Sequence, residues 1–343
     1  MSYPRVAIVG AGSLSSKRIY PYIGAAGARL VAVCDLDRAK AERNAALFGG
    51  TVYTDMEAML DAERPDGAIL CVGPEGHARL APVVMRRGIP VYTEKPPAPS
   101  AADALAVARV SKETGILCTT AFKKRYAIAY NRARDFIAEF PPDALYSLSI
   151  DYASAQYKHP PDRSAFLLDF AIHIIDLSGY LFGDAAEVFA FSKGFDAYGV
   201  SVKYASGAVG SLNLNCGRSF SIPTEEVEIT ARGGNFMSVH NSSSWRIARE
   251  GKCVEWREPP TFTSAGDSGH DTGHLAELID FVQAIQEKRS TRSCIAESYR
   301  SMVLYEAIAE SAATGRVVRP GYQPIYVVRH DSESSGAAGG QGL

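Results

Sequence analysis

Short apolar runs and helical patterns alternate along the first third of the chain. Val6–Val9, Leu30–Cys34, Ala68–Val72, Ile89–Tyr92 and Ile116–Thr119 read as strands buried on both faces. Ser13–Ile23, Arg38–Phe48, His77–Arg87 and Ala101–Thr114 carry helical spacing between them. Strands that alternate with helices in this way predict a parallel, doubly wound α/β sheet. After Phe122 the pattern changes. An amphipathic stretch, Tyr126–Phe140, stops at Pro141-Pro142 and is followed by the alternating LYSLSIDY and a helical block over Leu167–Leu181. Then come EVFAFS, YGVSVKY, AVGSLNLN, EVEITA, NFMSVH and SWRIARE, with turn signals at Tyr204–Gly207 and Ala231–Gly234. These predict an open, mostly antiparallel sheet of an α+β domain. Two late helices, His274–Glu287 and Ala296–Thr314, would cover that sheet or return to the first domain.

The organisation expected is therefore a nucleotide-binding-type domain over 1–121, an α+β domain over 122–330, and a small, polar, disordered tail over 331–343. Composition narrows the function. A formal net charge of −2 leaves no basic excess for phosphate neutralisation, so nucleic acid is not an expected partner. No apolar run approaches the roughly 20 residues that span a bilayer, and a first strand near Arg5 leaves no room for a signal peptide. Six dispersed cysteines without a C-x-x-C pair fit free thiols in a reducing cytoplasm, and no metal site is expected.

The turn after the first run, Gly10-Ala11-Gly12-Ser13-Leu14-Ser15, matches a dinucleotide-binding G-x-G-x-x-G with its last glycine replaced. In such a loop the first glycine permits a tight turn and the second lets backbone approach the pyrophosphate. The third allows close helix–strand packing. Ser15 holds only the packing position. Asp35, 23 residues after Gly12, ends the second run, where a carboxylate can accept both ribose hydroxyls. The alternative is an N-cap for the following helix. Its charge would repel a 2′-phosphate, favouring NAD; Arg38 nearby leaves NADP open.

Two further constellations carry chemistry. Thr93-Glu94-Lys95-Pro96-Pro97 follows the fourth run at a strand carboxyl end, where doubly wound sheets bind ligands. On a continuous helix Asp169, His173 and Asp176 would form one polar stripe, which must be paired or face a cleft. Lys123-Lys124-Arg125-Tyr126 reads as a solvated basic face or as a cleft wall for an acidic or nucleotide-linked sugar. Tyr152, Gln156, Lys158, His159 and Arg163 precede the polar helix on a loop and could touch substrate. His270-Asp271-Thr272-Gly273-His274 reads as a helix N-terminus near the cleft.

The opening strand-loop-helix, Asp35, Cys71-Val72-Gly73-Pro74-Glu75-Gly76-His77, Glu94-Lys95-Pro96, Asp169-x-x-x-His173-x-x-Asp176 and Glu277-Leu278-Ile279-Asp280-Phe281 together resemble the glucose-fructose oxidoreductase/inositol dehydrogenase/MocA family over residues 4–320. The resemblance implies a Rossmann domain and an α+β domain whose open sheet makes a homodimer or homotetramer. It also implies NAD(P)-dependent hydride exchange with a secondary alcohol or ketone of a sugar, inositol or related polyol. It assigns Lys95, Asp169 and His173 as catalytic, His173 having a suitable pKa to take the hydroxyl proton. Cofactor contacts are expected from Gly10, Gly12, Ser13, Leu14, Asp35, Arg38, Cys71, Gly73, His77, Glu94 and Lys95. Substrate contacts are expected from Lys95, Arg125, Tyr152, Arg163, Asp169, His173 and His274. The departures are Ser15, Ser164-Ala165 for a Gly-Gly pair, and Gly73–His77 for Thr-Pro-Asn-x-x-His. The alternatives are a ketoreductase of nucleotide-linked or acidic sugars, and a non-catalytic NAD(P)-binding regulator.

Overall fold

A computed structural model describes residues 3–154, 166–219, 222–259 and 268–325. Its first part runs β1 (Arg5–Val9), α1 (Ser13–Arg18), β2 (Arg29–Cys34), α2 (Arg38–Phe48), β3 (Thr51–Tyr53), α3 (Met56–Glu63), β4 (Gly67–Leu70), α4 (Pro74–Arg86), β5 (Val91–Thr93), α5 (Ala101–Thr114) and β6 (Cys118–Thr120). The strands form one parallel sheet in the order β3-β2-β1-β4-β5-β6. The order reverses between β1 and β4, which opens a crevice outside their carboxyl ends. β1 and β4 are almost wholly apolar because helices cover both faces.

Several local features depart from the periodicity. α1 is one and a half turns long, and Pro21 passes the chain into a 3₁₀ turn at Tyr20–Tyr22. β3 and α3 escape a hydrophobic-pattern reading because β3 is a three-residue, solvent-touching edge and α3 buries only Met59 and Leu60. Asp37, not Asp35, caps α2: its carboxylate accepts from Ala39 N–H (3.1 Å) and Lys40 N–H (3.4 Å).

The second part contains a 3₁₀ turn (Lys123–Tyr126), α6 (Ile128–Ala138), β7 (Leu145–Ala153), α7 (Phe166–Asp169) and α8 (Ile172–Phe182). Strands β8 (Ala185–Lys193), β9 (Ala197–Tyr204), β10 (Val209–Asn215), β11 (Thr224–Ala231), β12 (Asn235–His240), β13 (Ser244–Arg249) and β14 (Lys252–Arg257) follow, then α9 (Ser268–Thr272), α10 (His274–Glu287) and α11 (Ile295–Thr314). The eight-stranded sheet has the order β14-β13-β12-β11-β7-β10-β9-β8; β7 and β10 are parallel and every other pair is antiparallel. Alternate residues such as Leu148, Ile150, Val200, Val202, Leu212 and Leu214 are buried in the core shared with α6, α8 and α11. The opposite face is open.

The late helices divide the two tasks. On α10, Leu275, Leu278, Phe281 and Val282 join the core of β1 and Tyr92, so this helix returns to the parallel sheet. Gly67 permits that return, since a β-carbon there would lie 2.6 Å from Ile285 Cδ1. α11 packs with the core of the open sheet through Met302, Leu304 and Ile308. No helix among the described residues is long and apolar enough to cross a membrane.

Candidate active site

The turn after β1 sits at the mouth of the crevice. Gly10 has φ +103°, and a β-carbon there would fall 2.1 Å from the Cys71 carbonyl oxygen, so the glycine is demanded by β4 as well as by the turn. A β-carbon on Gly12 would meet nothing within 4 Å. Gly12, Ser13 and Leu14 are exposed, whereas Ser15 is buried and its hydroxyl lies 3.0 Å from Gly10 O and 3.1 Å from Gly12 O. A hydroxyl has one proton to donate, and here it ties the loop's own carbonyls at the packing position.

Asp35 accepts Ala11 N–H at Oδ2 (2.7 Å) and Asp37 N–H at Oδ1 (2.9 Å). Each oxygen keeps a further acceptor site. Beside it Leu36 is 93% exposed, an apolar surface that the sequence pattern did not single out. Arg38 points to solvent and pairs with Glu42 (2.8 Å) on the helix surface.

His77 is not at the crevice surface, in contrast to the expectation. It is buried: Val72 N–H donates to Nε2 (3.3 Å), and Nδ1–H donates to Pro96 O (2.9 Å). Burial pushes its pKa down to about 4. Both nitrogens are spent on clamping the α4 entry to the loop that carries Lys95.

Lys95 reaches from the end of β5 to the second domain. Its ammonium donates to Asp169 Oδ1 (2.7 Å) and to the Asp169 carbonyl, and lies 5.4 Å from the Phe170 ring centre. This contact accompanies a difference from the single polar stripe. In an unbroken helix the Asp169 carbonyl would accept from His173 N–H. Lys95 occupies that carbonyl, His173 N–H donates to Phe170 O (3.3 Å), and the helical block breaks into α7 and α8. The break sets Asp169 apart from His173 and Asp176, which share α8, and Asp176 turns to the interior. It is fully buried and takes the Arg125 guanidinium through Nε (3.0 Å) and Nη2 (2.8 Å), with Ser301 Oγ donating at 2.6 Å. Arg125, expected at the substrate, is thus buried in a structural pair.

His173 is partly buried, with the Phe122 ring edge-on at 6.2 Å, and its Nδ1 is buried without a hydrogen-bond partner. Burial, then the charges of Lys95, Lys123, Lys124 and His274, hold its pKa well below the usual histidine range. His274 begins α10, with Thr272 Oγ1 3.0 Å from its Nδ1. Gly273 lets this start approach the Lys123 turn, since a β-carbon would lie 2.1 Å from Lys123 O.

Beneath these groups lie two buried carboxyls. Burial raises the pKa of Glu94 and raises that of Glu277 further, the neighbouring Glu94 adding to the latter. Glu94 Oε2 accepts Lys95 N–H (3.1 Å). Tyr152 is buried on β7 with its ring 6.0 Å from the Lys124 ammonium, which is itself paired to Glu225. Arg163, Gln156, Lys158, His159 and the tail over 331–343 lie outside the described residues.

The fold and this crevice define a two-domain oxidoreductase whose parallel-sheet domain binds a dinucleotide. The family models agree: residues 4–122 match the oxidoreductase family's NAD-binding Rossmann fold and residues 154–319 its C-terminal alpha/beta domain, so the chain belongs to the glucose-fructose oxidoreductase/inositol dehydrogenase/MocA family. Among curated relatives, it is 25% identical over 320 residues to 4-carboxy-2-hydroxymuconate-6-semialdehyde dehydrogenase of Sphingobium sp., covering 89% of this chain and 97% of that one. It is 29% identical over 267 residues to inositol 2-dehydrogenase 4 of Saccharopolyspora erythraea, covering 70% and 77%. An Agrobacterium radiobacter oxidoreductase, solved with NAD+, L-tartaric acid and magnesium, shares the fold at TM-score 0.82 and 18% identity, covering 92% of this chain and 98% of that one. The residues fit NAD: a β-carbon on Gly12 would meet nothing within 4 Å, and Asp35, tied to the same turn through Ala11 N–H, keeps free acceptor sites next to the exposed Leu36.

Proposed function

We propose that this protein is an NAD-dependent dehydrogenase acting on a secondary alcohol or hemiacetal carbon of a small polyhydroxylated molecule, with Lys95, Asp169 and His173 as its reacting groups. The observation that carries the reading is the 2.7 Å bridge from Lys95, on the parallel-sheet domain, to Asp169, four residues before His173. It gathers a cation, a carboxylate and an imidazole at the carboxyl end of β5.

When bound, NAD supplies the hydride acceptor. The chain's own residues manage the proton. Lys95 uses two N–H groups on Asp169 and retains a third, which can donate to the substrate oxygen as negative charge develops. Burial and surrounding cations press the His173 pKa well below the usual histidine range, so the imidazole is a neutral acceptor but a weaker base than the sequence expectation of a suitable pKa. With Nδ1 buried, Nε2 is the nitrogen left to meet the hydroxyl. Asp169, half-exposed, orients Lys95 and can accept a neighbouring substrate hydroxyl. The test is appearance of NADH absorbance against a panel of inositols, aldoses, anhydrosugars and sugar acids; turnover of no member would remove the reading.

The crevice also predicts cofactor choice. Asp35 favours ribose hydroxyls and opposes a 2′-phosphate, so NAD should bind the unmodified protein more tightly than NADP. In Asp35→Ala the ratio should shift toward NADP by about tenfold or more, as loss of a like-charge clash allows. Equal calorimetric affinities of the unmodified protein for both cofactors would defeat the assignment.

A further inference from the structure

Four basic side chains come from Lys95 and the Lys123–Arg125 turn, and three have a carboxylate of their own. Lys95 has Asp169, Lys124 has Glu225 and Arg125 has Asp176. Lys123, also partly buried, has no ion pair or side-chain hydrogen bond among the described residues. Its charge acts on His173 and His274, and it lies within the field of Lys124 and Arg18. Three acids also lie within its electrostatic reach. Glu225 is committed to Lys124, Tyr130 and Ser242; burial raises the pKa of Glu94 and raises that of Glu277 further, and neither carboxyl forms an ion pair with Lys123. A desolvated ammonium without a counter-ion is costly, and its cost is recovered when a ligand brings the anion.

We propose that Lys123 is a specificity residue whose ammonium receives a carboxylate of the substrate, so that the alcohol oxidised belongs to a sugar acid or related hydroxy acid. The inference rests on the dehydrogenase reading above and narrows its substrate class. The geometry favours an anion at the reacting end of the crevice, because the turn that carries Lys123 packs against α8, which carries His173, and against the start of α10, where a β-carbon on Gly273 would lie 2.1 Å from Lys123 O. Burial, then the like charge of Lys124, also pushes the Lys123 pKa down to about 8, as expected of an ammonium lacking its partner.

The NADH-bound protein, titrated by calorimetry with matched pairs, tests this independently of turnover. The pairs are D-glucuronate against D-glucose, D-galacturonate against D-galactose, and L-tartrate against L-threitol. At least one acid should bind about tenfold or more tightly than its neutral partner. Lys123→Met and Lys123→Gln should erase that preference, and Lys123→Arg should keep it. The preference should also fade as pH rises through about 8, where the ammonium loses its proton. Thermal melting identifies which neutral variant is folded, and Lys123→Arg carries the comparison if both are not. Absence of acid preference in every pair would overturn the proposal, as would a Lys123→Met protein that keeps it. A loss confined to NADH affinity would also overturn it, since the anion would then be the cofactor's pyrophosphate. Failure of turnover on every acid, with acid binding intact, would strike the dehydrogenase reading and leave the carboxylate subsite standing.

Discussion

Lys95→Ala is expected to lower turnover by about a hundred- to a thousand-fold, the range for loss of one donor to developing negative charge, while NADH affinity stays within a few-fold. The split follows from the position of the side chain. Its partner Asp169 belongs to the second domain, whereas Gly12 and Asp35 hold the other end of the crevice. Removing the ammonium should therefore leave the dinucleotide's adenosine end undisturbed and strip the reacting oxygen of its donor. Asp169 is half-exposed, so water can solvate its freed carboxylate and the fold should lose little. Single-turnover kinetics with NAD and a substrate found in the panel would separate the chemical step from binding. A Lys95→Ala enzyme with near-normal turnover would remove Lys95 from the mechanism and leave His173 to act without it.

Much of this architecture was legible in the sequence because it rests on strong, local signals. Buried parallel strands are continuous apolar runs, and β1 with its Gly10–Ser15 turn could be read without tertiary information. Seven strands of the open sheet were equally plain, down to the Gly233-Gly234 turn, where both φ angles are positive, but the edge strand β14 was missed because it buries almost no side chain. What escaped was short or tertiary. β3 has three residues and no buried face of its own, so nothing in its composition separates it from a loop. The break between α7 and α8 could not be seen because the contact that accompanies it, a lysine 74 residues upstream donating to the Asp169 carbonyl, belongs to the assembled crevice. The pairing partners of the basic residues were hidden for the same reason. Lys123, Lys124 and Arg125 are alike in sequence; only the fold gives Lys124 a glutamate and Arg125 an aspartate. Leu36 was overlooked because a lone apolar residue after a strand is unremarkable until its 93% exposure is known.

Arg125 provides the sharpest contrast between the two levels of description, and the second large effect. A substrate-binding arginine, once removed, would raise KM and leave stability nearly untouched. The fold instead places the guanidinium against Asp176, which is 0% exposed, with Arg125 Nη1 donating to Arg292 O (2.7 Å) and Ser301 donating to the same carboxylate. Arg125→Ala would strand a buried carboxylate with one hydroxyl donor. Breaking such a pair typically costs about 3–5 kcal/mol, a large fraction of a domain's total stability. We therefore expect a marked fall in the denaturant midpoint and in Tm. The double variant Arg125→Met/Asp176→Leu should recover much of the loss, because replacing both charges removes the uncompensated one. Arg125→Lys should fall between them, since an ammonium cannot reproduce the two-point contact with the carboxylate. Because α8, which carries Asp176, also carries His173, the destabilised variant should lose activity in step with its folded fraction. An Arg125→Ala protein with an unchanged denaturation curve and a selectively raised KM would return Arg125 to the substrate pocket.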